Sequence, residues 1–241
     1  MRRVNEAVST RLGALLIVAA GATMLAACGD DETTGPEQPT ATAYVVHGIN
    51  GTDIEASEAL PVDVFVSGQG CVLEGVEFRD IEGPLTLPAD SAFDVRVHLA
   101  ADEPCDGDVA IEATDAQLQQ GDNVSITAHL DAQGSPTATV FVNDLSAADG
   151  STKVSPRHAA VFGPVDVVVD GSPAFENVPN GASGTAALDP GSYEVAIQTP
   201  DNQTTAFSDE LQLDAGTLYA VYAVGSVENG TFEVLLQTLS F

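Results

Sequence analysis

The chain of 241 residues carries 7 Lys+Arg against 36 Asp+Glu, a formal net charge of −29, with 44% hydrophobic and 5% aromatic residues, no Trp and 3 Cys. That apolar fraction belongs to a globular protein rather than to a disordered acidic tail. The charge excludes nucleic acid and anionic membrane surfaces as electrostatic partners, because phosphate binding needs Lys and Arg.

Arg2, Arg3 and Arg11 form a basic start, Leu12 to Ala22 a short apolar stretch, and small residues lead to Leu25-Ala26-Ala27-Cys28. Positive, apolar, then small is the order of a secretory signal. The apolar run is shorter than the roughly 20 residues a membrane-spanning helix needs. Leu-Ala-Ala-Cys resembles the bacterial lipobox. This implies that residues 1–27 are a signal peptide removed by cleavage and that Cys28 becomes the lipid-attached first residue; an ordinary signal peptide with a chance cysteine is the plainer alternative. Gly29 stands where Asp would resemble an inner-membrane retention signal, so the expected address is the outer membrane of a Gram-negative bacterium, facing periplasm or cell surface. Each acyl chain adds about 0.8 kcal/mol per buried CH₂, so several chains anchor a protein without any transmembrane helix. Cleavage leaves Arg79, Arg96, Lys153 and Arg157 as the basic side chains.

Residues 28–41 are polar, contain two prolines and show no apolar periodicity, which predicts a flexible tether with a mean reach of about 20 Å. Beyond it the chain repeats itself. Pro61-Val62-Asp63-Val64-Phe65-Val66 returns as Pro164-Val165-Asp166-Val167-Val168-Val169, and Phe93 to Val97 returns as Tyr193 to Ile197. Leu118 to Gly121 returns as Leu213 to Gly216, and Thr137 to Ser146 as Thr231 to Ser240. The spacing between copies shortens along the chain, so the first copy carries extra loop length. Unit one is placed at 42–148 and unit two at 149–241.

Each unit alternates with period two. Val62, Val64 and Val66 alternate with Asp63 and Phe65; Val124, Ile126, Ala128 and Leu130 alternate with Ser125, Thr127 and His129. Turn-forming clusters such as Asp170-Gly171-Ser172-Pro173 separate the runs. The expected fold is all-β: two tandem immunoglobulin-like antiparallel β-sandwich units, each of seven or eight strands. Glu112 to Gln120 is the one candidate helical segment.

Val45-Val46-His47 followed by Val62 to Val66, and Pro164 to Gly171 followed by Leu188-Asp189-Pro190-Gly191-Ser192-Tyr193, resemble a family of bacterial exported proteins called "domain of unknown function 4397" (DUF4397). The loop between His47 and Pro61 and the Ala89-Asp90 pair depart from the usual pattern, and unit two opens loosely with Pro156-Arg157-His158. The resemblance implies an exported β protein and no known chemistry.

Cys71 and Cys105 remain as candidates for a disulfide, which an oxidising compartment favours. Strict up-and-down alternation of the intervening strands would instead place them at opposite ends of the sandwich, leaving free thiols as the alternative. His47, His98, His129 and His158 form no metal-ligand spacing; His98 and His129 fall on the polar faces of their strands, where exposure is expected, and His47 is expected to be held by a loop backbone. Asp102, Glu103, Asp106 and Asp108 crowd one loop, and Asp144 and Asp149 lie at the unit junction, so Ca²⁺ is a possible partner, although no EF-hand spacing occurs. Nucleophile elbows, Cys-x-x-Cys and phosphate loops are missing, and a chain without Trp is poorly supplied for carbohydrate stacking. No catalytic, cofactor-binding or metal residue is assigned. The expected function is a lipid-anchored envelope protein displaying tandem sandwiches in a non-catalytic binding, adhesion or structural role, its partner an unknown envelope or extracellular protein or ligand. The alternatives are an enzyme or enzyme accessory with a site in the loops of unit one, and a calcium-dependent surface module.

Overall fold

The computed structural model describes residues 38–146 and 150–241; the signal segment, Cys28, most of the tether and Asp149 lie outside the described residues. The first sandwich is built from β1 (Thr40–His47), β2 (Val62–Val66), β3 (Gly70–Val76), β4 (Ile81–Pro88), β5 (Phe93–Leu99), β6 (Val109–Ala116), β7 (Asn123–Leu130) and β8 (Pro136–Val142). The second is built from β9 (Thr152–His158), β10 (Val165–Val169), β11 (Ser172–Val178), β12 (Ala186–Leu188), β13 (Gly191–Gln198), β14 (Thr205–Leu213), β15 (Thr217–Val224) and β16 (Glu233–Ser240). Sheet orders β4-β1-β7-β8 and β3-β2-β5-β6 return as β12-β9-β15-β16 and β11-β10-β13-β14. Every strand therefore has a counterpart in the same place in the other half, and the duplication read from the sequence is a duplication of fold.

Three local readings change. Strand β1 begins at Thr40 with Ala41 buried, inside the stretch read as tether. The segment considered for a helix lies largely in β6, an edge strand whose Val97–Ile111 and Phe93–Ala116 pairings hold it extended. Neighbouring strands run antiparallel except that β1 is parallel to β7 and β9 is parallel to β15. Side-chain alternation reports which face a residue occupies and not the direction of the neighbouring strand, so the parallel pair had no signal in the pattern.

The last strand of each copy also pairs differently from the sequence match. Thr137 lies opposite His129 and Glu233 opposite Val224, so Thr137 corresponds to Glu233, two residues beyond Thr231. A slip of two keeps every side chain on its original face, which is why the hydrophobic pattern hides it.

The two sandwiches pack through their β1 and β9 sheets. On β1, Ala41 and Ala43 face the core of the first sandwich beside Leu87 and Phe93. Val46 faces the other way and packs with Phe78, Phe141, Ala159, Ala220, Tyr222 and Val224. Both faces of β7 and β15 are thus covered, which explains the unbroken burial from Leu218 to Val224. Gly48 marks how close the halves come: a Cβ there would lie 2.7 Å from Val224 Cγ1. Among the described residues no helix is long and apolar enough to cross a membrane.

Candidate functional site

All four histidines are buried. His47 Nε2 donates to Leu60 O at 2.8 Å and its Nδ1 accepts from the Ile49 amide at 3.3 Å, the loop-backbone role expected of it. His98 Nδ1 reaches Gly107 O at 2.8 Å. His129 lies between Leu130 O at 2.9 Å and Thr139 Oγ1 at 2.8 Å, and His158 Nε2 reaches Gly163 O at 3.1 Å. The expected exposure of His98 and His129 is therefore wrong. The β5–β6 loop folds over His98, and the face of β7 that reads as polar is turned into the second sandwich. Burial pushes His47, His129 and His158 below the ordinary imidazole range, so the neutral rings serve as backbone clamps.

The repeated Val-Asp-Val strand has a similar explanation. Asp63 Oδ1 accepts from the Gly75 amide at 2.8 Å, and Asp166 Oδ1 accepts from the Asn177 amide at 2.7 Å. Gly75 and Asn177 both have positive φ, at 64° and 55°, and sit where the β2–β3 and β10–β11 registers shift. The aspartate thus pins a bulge that bends the neighbouring strand. In the first sandwich its second oxygen also accepts from the Cys105 amide at 2.8 Å.

That contact decides the cysteine question. The β5–β6 loop, held by Asp63 and His98, lies across the outer face of its sheet and brings Cys105 to Cys71, which stands opposite Phe65 in the β2–β3 ladder. The two are joined as a disulfide with Cα atoms 5.8 Å apart. The opposite-ends objection fails because a loop that folds over a sheet is not confined to the end where it starts. Asp63, Cys71 and Cys105 also form the one described group with the spacing of metal ligands, but the sulfurs are bonded to each other and the carboxylate to two amides. Asp102, Glu103, Asp106 and Asp108 are exposed on this loop. At the junction, the Lys153 ammonium lies 2.8 Å from Asp144 and holds its carboxyl down at about 2, assisted by Ser146.

Between the sandwiches lies a polar cluster the sequence did not announce. Arg157 is 1% exposed and has no carboxylate partner among the described residues. Its guanidinium donates to the Tyr222 hydroxyl and to Asn143 Oδ1, and it stacks 4.9 Å from the Tyr222 ring centre and 5.4 Å from that of Phe141. The Tyr222 hydroxyl donates to Gln237 Oε1 at 2.7 Å, as does Ser125 Oγ at 2.9 Å. Burial lowers the arginine's proton affinity and raises that of the tyrosine. The counterpart of Arg157 on β1 is Val46, since each pairs with the equivalent residue of the neighbouring parallel strand, Tyr222 or Thr127. The available signal was an arginine at the place that Val46 takes in the first copy. On the rim, Arg79 of the first sandwich grips Glu233 of the second through Nε at 2.6 Å, and Asn180 Nδ2 bridges Leu130 O and Ala160 O at 3.0 and 2.8 Å.

A cavity of about 170 Å³ lies between the sheets of the first sandwich. Apart from Gln117 its wall is hydrocarbon, from Val45 and Leu85 at one side to Ala113 and Val140 at the other.

The profile of the family described as "Domain of unknown function (DUF4397)" matches residues 41–164 and 158–238. No curated protein matches the chain. Among solved structures the chain is similar to a "putative cell adhesion protein" from Bacteroides uniformis, at 11% identity and a TM-score of 0.27, covering 84% of this chain and 98% of that one. It is also similar to one of the same description from Bacteroides ovatus, at 10% identity and a TM-score of 0.26, covering 85% and 98%. Likenesses of this size carry no argument about function. With two matches that together span residues 41–238, the first running on through β9 and the second taking up at its last residue, the chain belongs to the DUF4397 family.

Proposed function

We propose that the chain is a cell-envelope lipoprotein, held by a lipidated Cys28, whose paired sandwiches serve a non-catalytic binding, adhesion or structural role. One observation carries the non-catalytic reading: the histidines and the repeated strand aspartates are engaged with the scaffold. The four histidines bind backbone carbonyls, and Asp63 and Asp166 bind backbone amides. A general base must be within reach of a substrate proton, and buried rings bonded to loop carbonyls are not. The cavity between the sheets of the first sandwich is walled almost wholly by hydrocarbon, which supports binding over catalysis. The shared core built on Val46, Phe141 and Tyr222 supports display of the two copies as one stiff body rather than as beads on a string.

Fractionation of cells producing the wild-type chain and C28S tests the anchor. The wild type is expected in the outer-membrane fraction and C28S is expected to be released from it. Retention of C28S with the membrane would overturn the anchor. Pull-down from envelope extracts with and without Ca²⁺ then addresses partner and calcium dependence.

A further inference from the structure

The duplicated fold supplies an internal control for the cavity. Strand pairing equates Val64, Val97, Ile126 and Ala128 in its wall with Val167, Ile197, Val221 and Ala223. Those second-sandwich residues enclose about 10 Å³, against about 170 Å³ in the first. The difference lies in side-chain size. Ala116, opposite Phe93, corresponds to Leu211, opposite Tyr193. Ala138, opposite Ala128, corresponds to Val234, opposite Ala223; Ile111 corresponds to Phe207, and Val140 to Leu236. Leu85 to Ala186 and Ile126 to Val221 run the other way, without reopening the space. Nearer the free edge, the counterparts Phe207, Leu211, Val234 and Leu236 wall a recess of about 300 Å³ together with Asp209, Glu210 and Gln212, so what sets the first copy apart is a void that lies between the sheets and is lined by hydrocarbon. Close packing is the default of protein interiors, so such an interior void calls for an occupant.

The cavity also reaches the surface. Strands β6 and β8 are the facing free edges of the two sheets, and Ala113 and Val140, which line the slot there, are exposed, Val140 at 52%. In the second sandwich Asp209 stands at the position of Ala113, and the recess at that edge is walled by Asp209, Glu210 and Gln212 as well as apolar residues. One mouth is greasy and the other acidic.

We infer that the first sandwich binds an unbranched aliphatic chain, inserted between its sheets from the β6–β8 edge. An engineered void of about 150 Å³ lined by aliphatic and aromatic side chains stays dry and takes up small hydrocarbons, so this lining and size suit an apolar guest. The wall draws on β4, β1, β7 and β8 of one sheet. At about 4.8 Å between strands, that is a slot roughly 14 Å long, the shape of a chain rather than of a single ring. The lining offers no cation for a carboxylate head, and the formal net charge of −29 opposes an anionic one at the mouth. The chain therefore carries a neutral head. This inference does not depend on the anchor at Cys28.

Titration of the intact purified protein with 1-decanol, decanoate and benzene, followed by the methyl resonances of Ala113, Ala138 and Val140 and by calorimetry, tests it. Saturable 1-decanol binding that shifts these methyls is expected, with decanoate at least tenfold weaker. The double variant A116L/A138V, which copies the second sandwich into the first, is expected to melt no lower than wild type and to bind 1-decanol at least tenfold more weakly. The wild-type methyl shifts decide the matter if that variant does not fold. Equal binding by wild type and a folded filled variant, benzene binding without 1-decanol binding, or methyl shifts elsewhere than the slot would overturn the inference. So would self-association that buries the β6–β8 edge and blocks 1-decanol. Competition by dioctanoyl phosphatidylcholine assigns the chain to a membrane lipid, and failure to compete assigns it to a free neutral chain.

Discussion

Replacing Arg157 by methionine removes a buried charge while keeping an unbranched side chain of similar reach. Two close hydrogen bonds from the guanidinium vanish, to Tyr222 and to Asn143, with a long third one at 3.4 Å to Val142 O. Bonds from a charged donor contribute about 1.5–3 kcal/mol each, so roughly 3–6 kcal/mol is lost. Against this stands the desolvation of a guanidinium with no anionic partner among the described residues, several kcal/mol per buried ion. Neither partner is orphaned: the Tyr222 hydroxyl still donates to Gln237 Oε1 at 2.7 Å, which frees the one Ser125 hydroxyl proton to turn from Gln237 to Asn143 Oδ1, 3.2 Å away. The terms nearly cancel, and R157M is predicted to lie within about 2 kcal/mol of wild type. R157A loses the same bonds and the side-chain volume between Phe141 and Tyr222, and truncations of this kind in cores cost about 2–5 kcal/mol more. Urea unfolding of wild type, R157M and R157A measures both. Because Arg157 lies in the joint between the sandwiches, R157A is also expected to split the single transition into two. A loss above about 3 kcal/mol in R157M, equal to that in R157A, would show that the charge holds the joint and would refute the reasoning.

The bulge clamps give a paired test: D63N leaves an amide facing one of two backbone N–H donors and is predicted to cost about 2–3 kcal/mol, whereas D166N, which accepts one amide and can turn its NH₂ outward, costs about 1, both read by thermal melting. Removing the Cys71–Cys105 link, with a sequence separation of 34, with C71S/C105S is predicted to cost about 4 kcal/mol on loop entropy, and thiol titration of the unreduced wild type should find neither cysteine free. Stability should also fall with acid before the carboxylates titrate. His47, His129 and His158 have lowered affinities when folded, so below the ordinary imidazole value of about 6.5 the unfolded chain takes up protons that the folded chain refuses. Stability is full above that pH and declines as pH drops, by up to about 1.4 kcal/mol per pH unit for each histidine, until the folded-state values are reached. Urea midpoints that stay flat between pH 7 and 5 would contradict the buried neutral state.

The strands and their duplication were legible because period-two patterning and turn residues are local. Val62, Val64 and Val66 point inward as their alternation predicts. What lay beyond reach was the outer face. Ser125, Thr127 and His129 have the pattern of a solvent face, yet they are buried, because the second sandwich covers them. Nothing local to β7 records the approach of a sheet roughly a hundred residues away. The disulfide was legible as a pair and not as a geometry, since the path of the β5–β6 loop is set by Asp63 and His98, residues whose own partners appear once the chain is folded. Arg157 carried a signal that went unread: in the loose match of the two openings it stands where Val46 does, and a charge in place of a core valine belongs either to an edge or to a buried polar joint, here the latter. The apolar slot required comparison of the two copies after folding, because Ala116 and Ala138 are unremarkable until Leu211 and Val234 stand in their places.

The most direct test of the functional account is mass spectrometry of the protein isolated from cell envelopes. The account predicts an N-terminus at Cys28 carrying acyl chains, with residues 1–27 absent. An unmodified residue 28, or a chain that still begins upstream of it, would contradict it.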